Sequence, residues 1–123
     1  MKITSFNPLI ATKEADTVTA LFEELGFEKR HRSEGTNDNS DFLTTRMKDG
    51  NGFYVDVSQS DRVPMDITAI RMIVDDFEGT IELLTAHGFV NANGGRVTDL
   101  GSSKSVFMMA PSGFCISVVK HIK

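Results

Sequence analysis

The chain has no tryptophan, one tyrosine, one cysteine and three prolines in 123 residues. A lone Cys115 has no intramolecular partner, so no disulfide staples the fold, and a reducing compartment suits the chain. Stability has to come from a packed core, and this length is enough for one compact domain to bury one. No apolar run approaches the roughly 18 residues of a membrane span. The first residues, Met1 to Ser5, read as the opening of a strand and not as a charged and apolar leader. Cations are scarce as well: 13 Lys and Arg stand against 17 Asp and Glu, a net charge of −4. Beyond the short E-K-R-H-R of Glu28 to Arg32 nothing offers a grip on a phosphate backbone. The expectation is a soluble, cytoplasmic protein with neither nucleic acid nor membrane as partner.

What the sequence does contain is a repeat. The stretch N-G-F-Y-V-D-V-S, Asn51 to Ser58, alternates apolar Phe53, Val55 and Val57 with polar Tyr54, Asp56 and Ser58, the period of a strand with one face on a core. S-G-F-C-I-S-V-V, Ser112 to Val119, repeats the frame x-G-F-x-(V/I)-x-V sixty-one residues later, counted from Phe53 to Phe114. L-G-F at Leu25 to Phe27 is answered in the same way by H-G-F at His87 to Phe89.

The elements between these marks also come twice. Ile3 to Ala11 reads as a strand, and Thr12 can cap a helix whose apolar positions are Ala15, Val18, Leu21, Phe22 and Leu25, ended by Gly26. Strands follow at Glu28 to Arg32 and Asp41 to Lys48, separated by the polar loop S-E-G-T-N-D-N-S. D-G-N-G at Asp49 to Gly52 then turns the chain into the alternating strand. After a polar linker holding Pro64, Ile67 to Val74 begins the pattern again. Asp75 and Glu78 resemble a capping box, Phe77, Ile81 and Leu84 form a buried stripe, and Gly88 ends the helix. Arg96 to Leu100, Lys104 to Ala110 and Phe114 to His121 supply three more strands, with G-S-S and P-S-G as turns. The order is β-α-β-β-β twice: module one at 1–59, linker 60–66, module two at 67–123.

Two such modules, each with a helix ending in a G-F step and a last strand entered through a G-F turn, resemble the vicinal oxygen chelate superfamily, which includes glyoxalase, bleomycin-resistance and extradiol-dioxygenase proteins. The resemblance covers essentially the whole chain. It implies an α+β fold in which two βαβββ modules form a cup-shaped, partly closed mixed β-barrel with the helices outside and a ligand inside. Phe53, Val55 and Val57, like Phe114, Ile116 and Val118, are then expected under the helices, and Tyr54, Asp56 and Ser58 on the ligand face. Enzymes of the superfamily place a divalent metal in the cup, usually on His or Glu from the first and last strand of each module. Here those positions fall on Asn7 (or Phe6 if the register slips by one), Asp56, Ala69 and Ser117. Only Asp56 has a strong metal-binding side chain, and a divalent cation needs several such donors. The resemblance therefore implies a small-molecule-binding protein without a metal or other cofactor, holding in the cup a partly apolar ligand for which an anionic group is one option, as drug-binding members do. The alternative is a metal-dependent lyase, isomerase or dioxygenase that uses Asp56 as a ligand. A homodimer is the common assembly of family members of this size.

Several residues have both a functional and a structural reading. His87 closes a helix, where an imidazolium suits the negative end. His31 lies on the charged E-K-R-H-R strand, solvated or reaching the cup, and His121 has the parity of Ser117 and points toward the cup rim. Cys115, without a basic neighbour, reads as a small filler before it reads as a nucleophile. Met47, Met72, Met108 and Met109 read as core fillers or as a soft wall for an apolar ligand. Arg71 stands between the core residues Ile70 and Met72, so it faces the cup and needs an anion, either a ligand or Asp56. The candidate ligand-binding set is Asn7, Tyr54, Asp56, Ser58, Arg71, Ser117 and His121, with no catalytic residue assigned.

Overall fold

The structure, a computed structural model, describes residues 1–34, 43–92, 94–99 and 101–121. Most of the polar loop after Ser33, together with Asp41, Phe42 and Leu100, lies outside the described residues. The elements in chain order are β1 (Ile3–Thr12), α1 (Ala15–Glu24), β2 (Glu28–Glu34), β3 (Leu43–Lys48), β4 (Tyr54–Gln59), β5 (Ile67–Val74), α2 (Phe77–Ala86), β6 (Val90–Asn91), β7 (Thr98–Asp99), β8 (Ser103–Met109) and β9 (Cys115–His121). The chain is α+β, with the βαβββ order in the first half (β1-α1-β2-β3-β4). The second half follows the same order except that two two-residue strands, β6 and β7, both paired with β8, stand where the first half has the single strand β2. The chain divides into two compact units, Asn7–Thr68 and Ala69–Lys123, and the second also takes in Met1–Phe6. Strand β1 thus belongs to both.

In the Asn7–Thr68 unit the strand order is β2-β3-β4-β1. The β2-β3-β4 meander is antiparallel, and β1 lies parallel to β4 with Leu9 opposite Asp56. The D-G-N-G turn makes the β3–β4 hairpin: Asp49 Oδ1 accepts the N–H groups of Asn51 and Phe53, and Gly52 takes a φ of 90° that an L side chain resists. Helix α1 covers one face, where Met47, Val55 and Val57 pack with Ile10, Ala15, Val18, Phe22 and Phe27. Full burial of a side chain such as Val57 or Met47 is worth about 1.5–3 kcal/mol. The rings of Phe22 and Phe27 meet edge to face at 5.4 Å, so the L-G-F step folds back on its own helix.

Three expectations for this unit need correction. Phe53 is 65% exposed, because the strand starts one residue later and the ring lies outside the core. Leu21 and Leu25 are also exposed, since α1 buries only a narrow stripe. Thr12 does not cap the helix itself. Its hydroxyl accepts the N–H of Glu14, whereas the first helical N–H, that of Ala15, is accepted by Gln59 Oε1 at 3.0 Å from the end of β4.

In the other unit β5, β9 and β8 form the centre, with β5 and β9 parallel and β8 and β9 antiparallel. The N-terminal residues join its β5 side: Lys2 O accepts the N–H of Asp75, and Thr4 Oγ1 donates to Ile73 O. Met72, Val74, Val106, Met108, Ile116 and Val118 pack with Phe77, Phe89, Ile81 and Leu84 beneath α2. Met47, Met72 and Met108 are core side chains, as the sequence suggests, while Met109 is partly exposed. Phe114 departs from its expected place: it is 50% exposed and stacks edge to face on Phe89 instead of entering the core. The helix cap is Asp76, whose Oδ1 accepts the N–H of Gly79, and not Asp75, whose carboxylate is engaged by the N–H of Lys2.

Candidate functional site

Alternation along the strands separates the two faces of the Asn7–Thr68 unit. With Ile10, Met47, Val55 and Val57 under α1, the opposite face carries Asn7, Leu9 and Ala11 from β1, Thr44, Arg46 and Lys48 from β3, and Tyr54, Asp56 and Ser58 from β4. Tyr54, Asp56, Ser58 and Asn7 therefore share the face the sequence assigned to them. The register is that of Asn7, since Phe6 is exposed.

Asp56 is the centre of this face. It is 1% exposed, and its Oδ2 accepts a 2.6 Å hydrogen bond from Asn7 Nδ2. The same oxygen meets Arg46 Nη1 at 3.3 Å. Arg46 Cζ also stands over the Tyr54 ring, 4.0 Å from its centroid, and Lys48 Nζ stands 5.4 Å from the same centroid. One ring and one carboxylate thus orient the guanidinium from two sides, which suits its planar, weakly hydrated fork. The hydroxyls of Thr44 and Ser58 share a 2.7 Å hydrogen bond, so the row is tied across the strands at two levels.

Sequence reasoning did not find Arg46. The signal was present in the turn, because counting outward from D-G-N-G pairs Lys48 with Tyr54, Met47 with Val55 and Arg46 with Asp56. The backbone of His31 stands opposite Arg46 in the β2–β3 ladder, and its side chain lies outside the described residues.

In the Ala69–Lys123 unit, the face turned from α2 carries Ala69, Arg71, Ser117, Phe107 and Cys115, with Arg71 in register with Ser117 and Ser117 with Phe107. Arg71 is half-buried, Ser117 and Ala69 are buried, and His121 is exposed at the end of β9. Cys115 is buried, and desolvation pushes its thiol pKa upward, which holds it in the unreactive thiol form. His87 is the C-terminal cap of α2 and is exposed, its structural reading.

The donor set can be compared with what a divalent metal requires. Among the described residues no three of His, Cys, Asp and Glu gather. In the first unit the carboxylate oxygen of Asp56 already faces two hydrogen-bond donors, one of them cationic. In the second unit the corresponding positions offer a methyl group and a hydroxyl. This set does not fit a zinc or hard-cation site. No helix among the described residues is long and apolar enough to cross a membrane.

No family model matches the chain, and no curated protein matches it. Solved structures do. Methylmalonyl-CoA epimerase from Mycobacterium tuberculosis is similar over 98% of this chain and 90% of that one, with a TM-score of 0.69 at 15% identity. A Streptomyces coelicolor methylmalonyl-CoA epimerase in complex with 2-nitronate-propionyl-CoA matches over 99% and 100%, with a TM-score of 0.68 at 14% identity. Glyoxalase I from Zea mays matches over 97% of this chain but 43% of its own, with a TM-score of 0.67 at 16% identity. These proteins belong to the vicinal oxygen chelate superfamily. The doubled βαβββ chain described here therefore has the vicinal oxygen chelate fold.

Proposed function

We propose that this chain is a small-molecule-binding protein that works without a divalent metal, with its ligand on the polar face of β1, β3 and β4. The observation that carries the reading is the guanidinium of Arg46 on Asp56. The one strong metal ligand of the expected set is already balanced by a cation of the chain itself, and a metal ion would have to displace it. Leu9 and Ala11 lie on the same face as Asn7, Tyr54, Asp56 and Ser58, so the face suits a ligand with an apolar frame and a few polar groups. In the second unit by itself, Arg71, in register with Ser117, has the chemistry to hold an anionic group. The epimerase structures hold 2-nitronate-propionyl-CoA and methylmalonyl-CoA, small acyl groups that carry an anionic head, which supports a small ligand with a polar or anionic group. The acidic chain gives no support to a nucleic acid partner.

Metal analysis and native mass spectrometry of protein purified without chelator test this. We expect no stoichiometric zinc, nickel, iron, manganese or magnesium, no glyoxalase or ring-cleaving activity, and a small molecule retained or accepted with a rise in Tm. Near-unit metal that is lost in Asp56→Asn would overturn the reading. The same spectra count the subunits and so test the expected homodimer.

A further inference from the structure

We infer that the ligand carries a neutral hydrogen-bond donor, a hydroxyl or an amide N–H, and that Asn7 Oδ1 is the acceptor that reads it. The inference rests on the ligand-binding reading and names the chemistry of that same face. Asn7 is 5% exposed on a face where its amide has only one acceptable orientation. Its Nδ2 donates to Pro8 O at 2.9 Å and to Asp56 Oδ2 at 2.6 Å. Both partners are acceptors. Turning the amide over would set its carbonyl oxygen against a carboxylate and a second carbonyl, two repulsive contacts in place of two bonds.

Oδ1 is therefore the remaining group, and no donor among the described residues reaches it although it is buried. Buried side-chain oxygens in folded proteins nearly always have a donor, and an unmade bond in a low-dielectric site is a standing cost that an incoming donor removes. A hydroxyl or N–H satisfies that oxygen. An ether, thioether or hydrocarbon at the same place leaves the cost in force.

The charge around Asn7 selects a neutral donor over a cation. Arg46 already balances Asp56 across the strand pair, so an ammonium group here would add a second positive charge beside the guanidinium. Leu9 and Ala11, buried on the same face, indicate that the donor sits on an apolar carbon frame. The chemistry is that of an alcohol or a secondary amide on a hydrocarbon or aromatic skeleton.

Matched fragment pairs titrated into the ¹⁵N-labelled full chain test this, with the Asn7 side-chain amide and the Tyr54 and Asp56 backbone amides as reporters. The simplest pairs are benzyl alcohol with benzyl methyl ether, and N-methylbenzamide with N,N-dimethylbenzamide. The donor-bearing member is expected to shift all three reporters and to bind roughly tenfold or more tightly than its methylated partner, the discrimination expected when a buried acceptor is left unpaired. Equal affinity within each pair, with the same reporters moving, would overturn this inference and leave the ligand-binding reading standing. If no fragment moves these reporters, both fall. A preference for benzylammonium over benzyl alcohol would replace the neutral donor by a cationic one and overturn the inference as stated.

Discussion

Replacing Arg46 with methionine removes the guanidinium from Asp56 while keeping much of the volume of the side chain. Breaking a well-buried charge pair from one side costs roughly 3–5 kcal/mol, because the other charge is stranded in a medium that solvates it poorly. Here Asp56 is 1% exposed, but the Arg46 side chain is 18% exposed and the contact is 3.3 Å long. Water therefore carries part of the interaction, and the expected cost falls to about 2–3 kcal/mol. Loss of the stacking contact with Tyr54 adds about 0.5–1 kcal/mol. For a domain of this size 1 kcal/mol moves Tm by about 4 °C, so calorimetry is expected to show a fall of roughly 10–16 °C. Urea unfolding supplies the free energy directly, with an unchanged m-value as the sign that only stability has moved. Arg46→Lys keeps the charge and loses the planar fork, so it is expected to fall between the two. The control is a cycle with Asp56→Asn. Once the carboxylate is neutral, Arg46→Met strands no charge, and the double variant is expected to be more stable than the sum of the singles by about 1–2 kcal/mol. The reasoning fails if Arg46→Met costs less than about 0.5 kcal/mol, or if the cycle is additive.

Gln59→Ala removes the acceptor of the Ala15 N–H and the donor to Lys13 O, and urea unfolding is expected to show a loss of about 1–2 kcal/mol, the scale of a helix cap. Gly88→Ala is expected to destabilise more than Gly26→Ala. Both positions have positive φ and share a strain of about 1–2 kcal/mol, but only at Gly88 does the new Cβ meet another side chain, Pro111 Cγ at 2.9 Å. Cys115 is expected to resist alkylation in the native state, with the reaction midpoint displaced to higher pH than for an ordinary thiol. Rapid labelling below that range would contradict its burial. Glu78 has its pKa lowered, chiefly by the hydrogen bond from Lys104, then by a hydrogen bond from its own backbone N–H and by the Lys104 charge, against a smaller upward push from Asp76. The sign is that of a depressed carboxylate: its stabilising contribution is present above the unfolded pKa and is lost as pH falls through the folded one. In a carboxylate NMR titration Lys104→Met is expected to return Glu78 toward its ordinary value, and high salt to act in the same direction.

The architecture was legible because it is written locally and then repeated. Alternation from Tyr54 to Ser58, two G-F steps after helical stripes and a D-G-N-G turn all act within a few residues, and each recurs in the second half or sets a hairpin. Asn7 and Asp56 were legible for the same reason, since strand parity decides which face a side chain takes. What was missed depends on partners far along the chain. Gln59 reaches Ala15 across 44 positions, and Asp75 gives up the cap of α2 to Asp76 because the N–H of Lys2, 73 positions away, engages its carboxylate. Phe53 and Phe114 follow the alternation but fall just before their strands begin, where parity no longer implies cover by a helix. Arg46 lies between these cases. Its register follows from the hairpin turn, but its role appears only when the side chain opposite is known to be a buried carboxylate.

That pairing decides how far the fold can be used to infer chemistry. Solved structures at 14–16% identity reproduce the path of the chain and show its fold alone. A carboxylate buried to this degree needs positive charge or several donors beside it whatever the protein does. The need can be met from outside, by a cation that then serves as a reagent, or from within, by a neighbouring strand. In this chain β3 supplies Arg46, held in turn by Tyr54 on β4, and β1 supplies Asn7. Each of these three residues is committed to the row by a contact of its own. The carboxylate is then a structural anchor that orients a guanidinium and an amide. Under this arrangement neutralising Asp56 should loosen Arg46 and Asn7 together, so Asp56→Asn is expected to shift the Asn7 side-chain amide and the Tyr54 ring resonances jointly in NMR spectra. Unmoved Tyr54 resonances in that variant would show that the ring and the guanidinium keep their places without the carboxylate.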